Sequence, residues 1–206
     1  MKREEKNEQS RNQILESAIR EFARKSYTEA SVNDICANGA ISKGRLYYHF
    51  KDKDELYLEC VGICFDTMAE FMADGMREKK NAKGIIEEYM RVRHMFFEEH
   101  PDFQNIFFFV MFQCPAHLKD RVKEREGKFQ AFNRRHFYNI LSHTKLRDGV
   151  GQEQAMEYFR IFQEMFNGYH RRYLERGEEI EYRAGMHEEK LAGMVEVLLY
   201  GIAEKE

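Results

Sequence analysis

The stretch 41-ISKGRLYYHFKDKDEL-56 decides how this chain is read. Here a short helix carries Lys43, Arg45, Tyr47, Tyr48 and His49 within roughly a turn and a half of backbone. A core helix has no use for two cations and three polar-tipped rings so close together. A merely solvated helix has no use for Tyr-Tyr-His followed by Phe. Leu46 and Phe50, spaced i,i+4, give the segment an inward face with Ile35 and Ile41. The other face is built to touch something negatively charged.

The flanking sequence frames that helix. Ser42 is a good N-cap for it, and Asp52 with Glu55 reads as a capping box ahead of Leu56, Tyr57, Cys60, Val61 and Cys64. Upstream, Ser31 with Asp34 makes a similar box before Val32, Ile35 and Cys36, and Asn38-Gly39 breaks the pattern. Earlier still, Ile14, Leu15, Ala18, Ile19, Phe22 and Ala23 form one helical stripe, with Ser10 expected as its cap. The result is three short helices and the start of a long one. The second and third are joined by a few residues around a glycine, which is helix-turn-helix geometry.

In such a unit the N-terminal residues of the second helix meet base edges in the major groove. Lys43, Gly44 and Arg45 occupy that turn. Gly44 allows close backbone approach, and Arg45 is able to pair with guanine O6 and N7, worth roughly 1–3 kcal/mol of discrimination. Tyr47 and His49 are expected at phosphates, and Lys53 adds an ammonium where the next helix begins. Tyr48 is balanced between packing on the first helix and a phosphate contact.

The run 31-SVNDICANGAISKGRLYYHFKDKDELYLEC-60 resembles the DNA-binding signature of the TetR (tetracycline-repressor) family of transcriptional regulators. Its most specific part is Ser-Lys-Gly-x-Leu-Tyr-x-His-Phe followed by x-x-Lys-x-x-Leu, and every slot is filled. The resemblance covers roughly residues 10–60; the remainder is similar to the family in length and helicity. It implies that Lys43, Gly44 and Arg45 face bases, while Ser31, Asn33, Tyr47, His49 and Lys53 sit at the backbone or groove edge; Ser42 and Tyr48 complete the candidate DNA-binding set. Family members usually carry glycine near Ser26 and at Ala40. Here Gly39 precedes the second of these slots by one residue, so a differently built turn is expected.

Composition limits the alternatives. A length of 206 residues with 43% hydrophobic content supports a real core in one or two domains. The net charge of −3 sets aside a bulk polycation, so any pull on nucleic acid has to be local. The sequence has no run long enough to span a membrane and no signal-peptide pattern at its start, and a cytoplasmic protein is expected. Cys36, Cys60, Cys64 and Cys114 show no CxxC pairing and read as small buried hydrophobes, with a thiol sensor built on Cys60, Cys64 or Cys114 as the alternative. The histidines lack metal-ligand spacing, and no nucleophile–base pair or nucleotide loop stands out. Neither a metal, a cofactor nor an enzymatic activity is expected.

Helical patterns continue roughly over 84–99, 103–113, 117–143, 152–177 and 187–203, with no alternating strand-like segment. The expected fold is all-α with about nine helices. A helix-turn-helix domain at 1–56 precedes a helical effector-binding and dimerisation domain at 57–206. Aromatic and methionine stripes in the second part read first as core. They are also able to line an apolar pocket, and the resemblance implies a small, often hydrophobic or aromatic effector. Candidate pocket residues are Phe65, Met68, His94, Phe97, Phe108, Phe112, Phe132, His136 and Phe166. The last two helices are poor in polar faces, and Phe159, Phe162, Leu191, Met194, Val195 and Leu198 are the candidate homodimer interface. The expected mechanism is a homodimeric repressor on a near-palindromic operator, released when effector shifts the long fourth helix. A helical interaction protein with an unused reading head is the remaining alternative.

Overall fold

The computed structural model describes residues 3–174 and 177–202. Among these the chain is all-α, with ten α-helices and one short 3-10 turn. It divides into two compact units, Met1–Thr67 with His100–Gly127, and Met68–Glu99 with Lys128–Glu206. This is a partition by packing and differs from the division by role at 56/57.

In the first unit α1 (Arg3–Arg24) packs against α2 (Val32–Asn38), α3 (Lys43–His49) and α6 (Pro101–Gln113). The stripe Ile14, Leu15, Ala18, Phe22 and Ala23 is buried as its spacing predicts, and Ile19 is half-buried at its edge. Helix α6 is apolar nearly all round, with Ile106 to Val110 and Phe112 all buried, so it runs through the unit's centre. Pro101 opens it at the position where a missing N–H costs nothing. A 3-10 turn (Ala116–Leu118) and α7 (Lys119–Arg125) complete the unit.

Helix α4 (Lys53–Gly75) begins in the first unit and ends in the second. Asp52 Oδ1 accepts from Glu55 N at 2.8 Å, as the expected box requires, while the Glu55 carboxylate accepts from Lys51 N at 2.7 Å, one residue before the cap. Where the helix ends, at Gly75, α5 (Ala82–Glu99) passes close by. A Cβ there would meet Val92 Cγ1 at 2.8 Å.

The second unit adds α8 (Gly127–Ser142), α9 (Gln152–Leu174) and α10 (Ile180–Ile202). Its core joins Ile85 and Ile86 of α5 to Phe137, Ile140 and Leu141 of α8, Ala155 of α9, and Val195 and Leu199 of α10. Two boundaries differ from expectation. The segment 117–143 is interrupted at Glu126–Gly127, where glycine weakens helix propagation, so it yields α7 and α8. Helix α10 starts seven residues early, because Ile180, Arg183, Ala184 and His187 form a buried row inside a run that reads as charged. No helix among the described residues is long and apolar enough to cross a membrane.

Candidate nucleic-acid interface

Two caps and one strained residue set the attitude of α3. Ser31 Oγ accepts from Asp34 N at 3.1 Å at the start of α2. Asp34 does not reach back in turn; its carboxylate takes Lys25 Nζ at 2.8 Å, and Ser31 N donates to Glu21 Oε1 at 3.4 Å. Ser42 Oγ accepts from Arg45 N at 3.2 Å and starts α3. Between the two helices Gly39 is pressed onto α1: a Cβ there would lie 2.9 Å from Ser17 Cβ and 2.5 Å from Ile41 Cδ1. The left-handed step falls one residue later, on Ala40, with φ of 51°. One position thus needs glycine for space and has it, while the next would prefer glycine for its backbone and carries alanine instead.

Once Leu46 and Phe50 are buried, the rest of α3 faces outward. Lys43, Gly44 and Arg45 are exposed on its first turn, and Tyr47 and Tyr48 keep 50% and 72% of their surface, far more than a tyrosine with a core role retains. Ser42 and Asn33 are exposed as well, and Ser31 is half-buried at its cap. This face collects cations and aromatic donors on one side of a rigid turn, the arrangement that fits a groove lined by phosphates.

Two of its residues are tied to α1. Ser10, expected as the cap of that helix, lies inside it because the helix already starts at Arg3, and its side chain is buried. Its hydroxyl accepts from Arg45 Nε at 2.5 Å and lies 3.0 Å from His49 Nε2. Burial, with the charges of Arg45 and Arg11 nearby, pushes the His49 imidazole below its ordinary value, so at neutral pH it is uncharged. A polar residue on an otherwise apolar helical stripe was the signal available in sequence. Lys6 and Asn7, on the same end of α1, line an open concavity with Ser10, Arg45 and Tyr48, and sequence reasoning passed over them.

Lys53 is half-buried at the start of α4, its ammonium 4.3 Å from the centre of the Tyr27 ring. Tyr27 Oη in turn donates to Asp54, whose carboxylate also lies 3.4 Å from His117 Nε2. Lys53 therefore stands on a braced platform.

The pocket candidates are dispersed. Phe65, Phe108 and Phe112 are buried in the first unit, with rings against Phe107 and each other at 5.3–5.5 Å, as packing. In the second unit Met68 is fully buried, Phe97 lies under the Arg93 guanidinium at 4.8 Å, and Phe166 is enclosed by His170 and His187. His94 is exposed on the surface of α5 and pairs with Glu98 at 3.3 Å. Phe132 and His136 share a cleft, described below.

The interface candidates are displaced around their helices. Phe159 stacks on Phe137 at 3.8 Å, Val195 belongs to the core, and Leu191 and Leu198 pack against it. Phe162 and Met194 are half-buried. The outward apolar row on α9 is instead Tyr158, Ile161, Met165 and Tyr169, and α10 exposes Tyr182 and Val197. Periodicity gave the helices; which of two apolar faces met the chain's own core was not visible from it.

Cys60 and Cys64 are fully buried, and burial pushes both thiols far above their ordinary value. Neutral buried thiols are poor nucleophiles, which weighs against a sensor built on Cys60 or Cys64, whereas Cys114 is half-buried.

These features define a helix-turn-helix reading head carried on an all-helical chain. Residues 14–60 match the family model of bacterial regulatory proteins of the tetR family. In that segment the chain is similar to the tetR family. Over 75 residues it is 29% identical to the biofilm operon icaADBC HTH-type negative transcriptional regulator IcaR of Staphylococcus epidermidis, covering 36% of this chain and 40% of that relative. The chain thus spans less than half the length of that curated relative. Among solved structures, a tetR-family transcription regulator from Shewanella superposes with a TM-score of 0.64 at 14% identity, covering 95% of this chain and 99% of that one. FadR from Bacillus subtilis, solved in complex with stearoyl-CoA, superposes with a TM-score of 0.58 at 14% identity over 87% of this chain and 96% of that one. At such identities these two likenesses speak for the fold.

Proposed function

We propose that this chain is a sequence-specific DNA-binding transcriptional regulator of the cytoplasm, a homodimeric repressor released from a near-palindromic operator by a small effector. In this reading residues 1–56 are the reading head and residues 57–206 bind effector and form the dimer. The chain acts through binding rather than catalysis. The observation that carries the reading is the outward face of α3: Lys43, Arg45, Tyr47 and Tyr48 exposed together, on a helix whose opposite side is locked into α1 and α2.

Lys43, Gly44 and Arg45 read bases, and Ser31, Asn33, Ser42, Tyr47, Tyr48, His49 and Lys53 fix register on phosphates. The negative regulator among the relatives supports repression, and the acyl-CoA-bound FadR supports effector control. The exposed apolar row of α9, with Tyr182 and Val197 on α10, is suited to self-association across a two-fold axis, which would pair two α3 helices on half-sites about one helical turn, roughly 34 Å, apart. Effector binding acts through α4, which runs from one compact unit into the other. A coupling of about 1–3 kcal/mol along it loosens the operator roughly 5–150-fold.

The test is selection of the purified chain against a randomised duplex pool, with sequencing of the bound fraction. A two-fold-symmetric motif is the expected result. Failure to enrich any sequence at low salt and under reducing conditions would reject the reading and favour the interaction-protein alternative.

A further inference from the structure

The second unit contains a cleft of about 460 Å³ between the segment that follows α4 and the outer face of α8. That volume is in the range of small-molecule sites. Its lining includes the apolar side chains of Ile85 and Phe132 and the cations Arg77, Lys79 and Arg135. Glu78 is the one carboxylate among the lining residues, so the fixed charge there is net positive.

The backbone that carries Arg77 and Lys79 is held in place. Glu88, buried on α5, accepts from Arg77 N at 3.1 Å and from Arg91 Nη2 at 2.7 Å, and it lies 3.5 Å from Lys79 Nζ. Arg91 Nη2 also donates to Gly75 O at 3.2 Å, where α4 ends. One buried carboxylate and its arginine therefore fix the segment that carries Arg77 and Lys79, which is the preorganisation a ligand site requires. On the other wall the Phe132 and His136 rings are within 9° of parallel, their centres 6.0 Å apart, with the Tyr89 ring 4.8 Å from His136. His136 Nε2 is buried without a hydrogen-bond partner among the described residues, a polar atom whose desolvation is uncompensated.

We infer that this cleft binds organic anions with a flat apolar body, the anionic group at Arg77 and Arg135 and the body against Phe132 and His136. The inference rests on the effector reading above and gives it a chemical class. Burial lowers the His136 imidazole to about 4, so at neutral pH it meets the ligand uncharged and adds a directed hydrogen bond without altering the charge balance. His143 also lines the cleft, its Nδ1 engaged 2.9 Å from Asn139 O.

The probes are 8-anilinonaphthalene-1-sulfonate and its uncharged counterpart N-phenyl-1-naphthylamine, titrated by fluorescence into the full chain. The sulfonate is expected to bind more tightly than the amine. The double variant Arg77→Gln/Arg135→Gln should weaken the sulfonate about tenfold or more and leave the amine nearly unchanged. Both arginines are exposed, so the fold is not at stake. Equal affinity of wild type and double variant for the sulfonate would overturn the inference, as would parallel loss of both probes. A gel shift on the selected duplex separates this from the reading beneath it. Arginine-dependent binding that leaves the duplex complex intact would keep the anion site and remove its role as effector site. Binding that is independent of the arginines would remove the site and leave DNA recognition untouched.

Discussion

Ala40 bears a cost that a single hydrogen in place of its methyl would remove. A left-handed alanine is strained by about 1–2 kcal/mol, and glycine returns part of that gain through its greater freedom in the unfolded chain. Ala40→Gly is expected to raise stability by up to about 1 kcal/mol in urea denaturation. Gly39→Ala should lower it by about 1–3 kcal/mol, because the new methyl has to displace Ser17 and Ile41. The resemblance pointed to a glycine slot at Ala40 and to an altered turn. What it left out was that the strain would be borne by alanine, since φ depends on how closely Gly39 packs against Ser17. Ser10 illustrates the same limit: its residue type was legible, its partners Arg45 and His49 were not, because they lie 35 and 39 positions away. Ser10→Ala should broaden sequence preference at the base pair read by Arg45, measured by repeating the duplex selection, while leaving the helix content unchanged.

At the scale of elements, the proposed function gives α3 and the start of α4 different parts in recognition. Arg45→Ala should relax preference at one position of each half-site. Lys53→Ala should weaken all duplexes alike and reduce the dependence of log affinity on log salt by about one unit. Salt titrations against several duplexes distinguish these outcomes, and unequal losses for Lys53→Ala would show that its platform on Tyr27 positions α3 instead. The reading head was the most legible part of the sequence, because caps, turn and exposed aromatics all fall within one short segment. The helical body was legible only as helices. Its apolar residues fit core, pocket and interface equally by spacing, and the choice depends on tertiary neighbours such as Phe137 beneath Phe159.

For the whole molecule, the outward row on α9 and the exposed Val197 of α10 carry a prediction about assembly. Met165→Glu together with Val197→Glu places charge where an apolar seam would form, and both side chains are exposed in the single chain. The double variant should sediment as a monomer, with its affinity for a palindromic duplex lowered by well over about tenfold as two-headed binding is lost. Acid should act on the same region. His170 is buried beside His187, with Arg183 and Lys190 near, and burial followed by these charges lowers it to about 4. Its unfolded form takes up a proton near 6.5, so the stability it contributes is complete above that pH and is lost as pH falls from about 6.5 toward 4. The integrated effect is on the order of 3 kcal/mol, measurable by urea denaturation across that window. Glu188, lowered to about 2 against burial by Arg93 and His187, loses its contribution at lower pH, between about 4.5 and 2. The segment between α4 and α5 has a different kind of consequence. It carries Arg77, Lys79 and Lys80, three sites for trypsin, on a backbone held by Glu88. Cleavage needs that backbone released into an extended form, so nicking at these bonds becomes a clock for how often the clasp opens, and anything seated in the cleft should slow it.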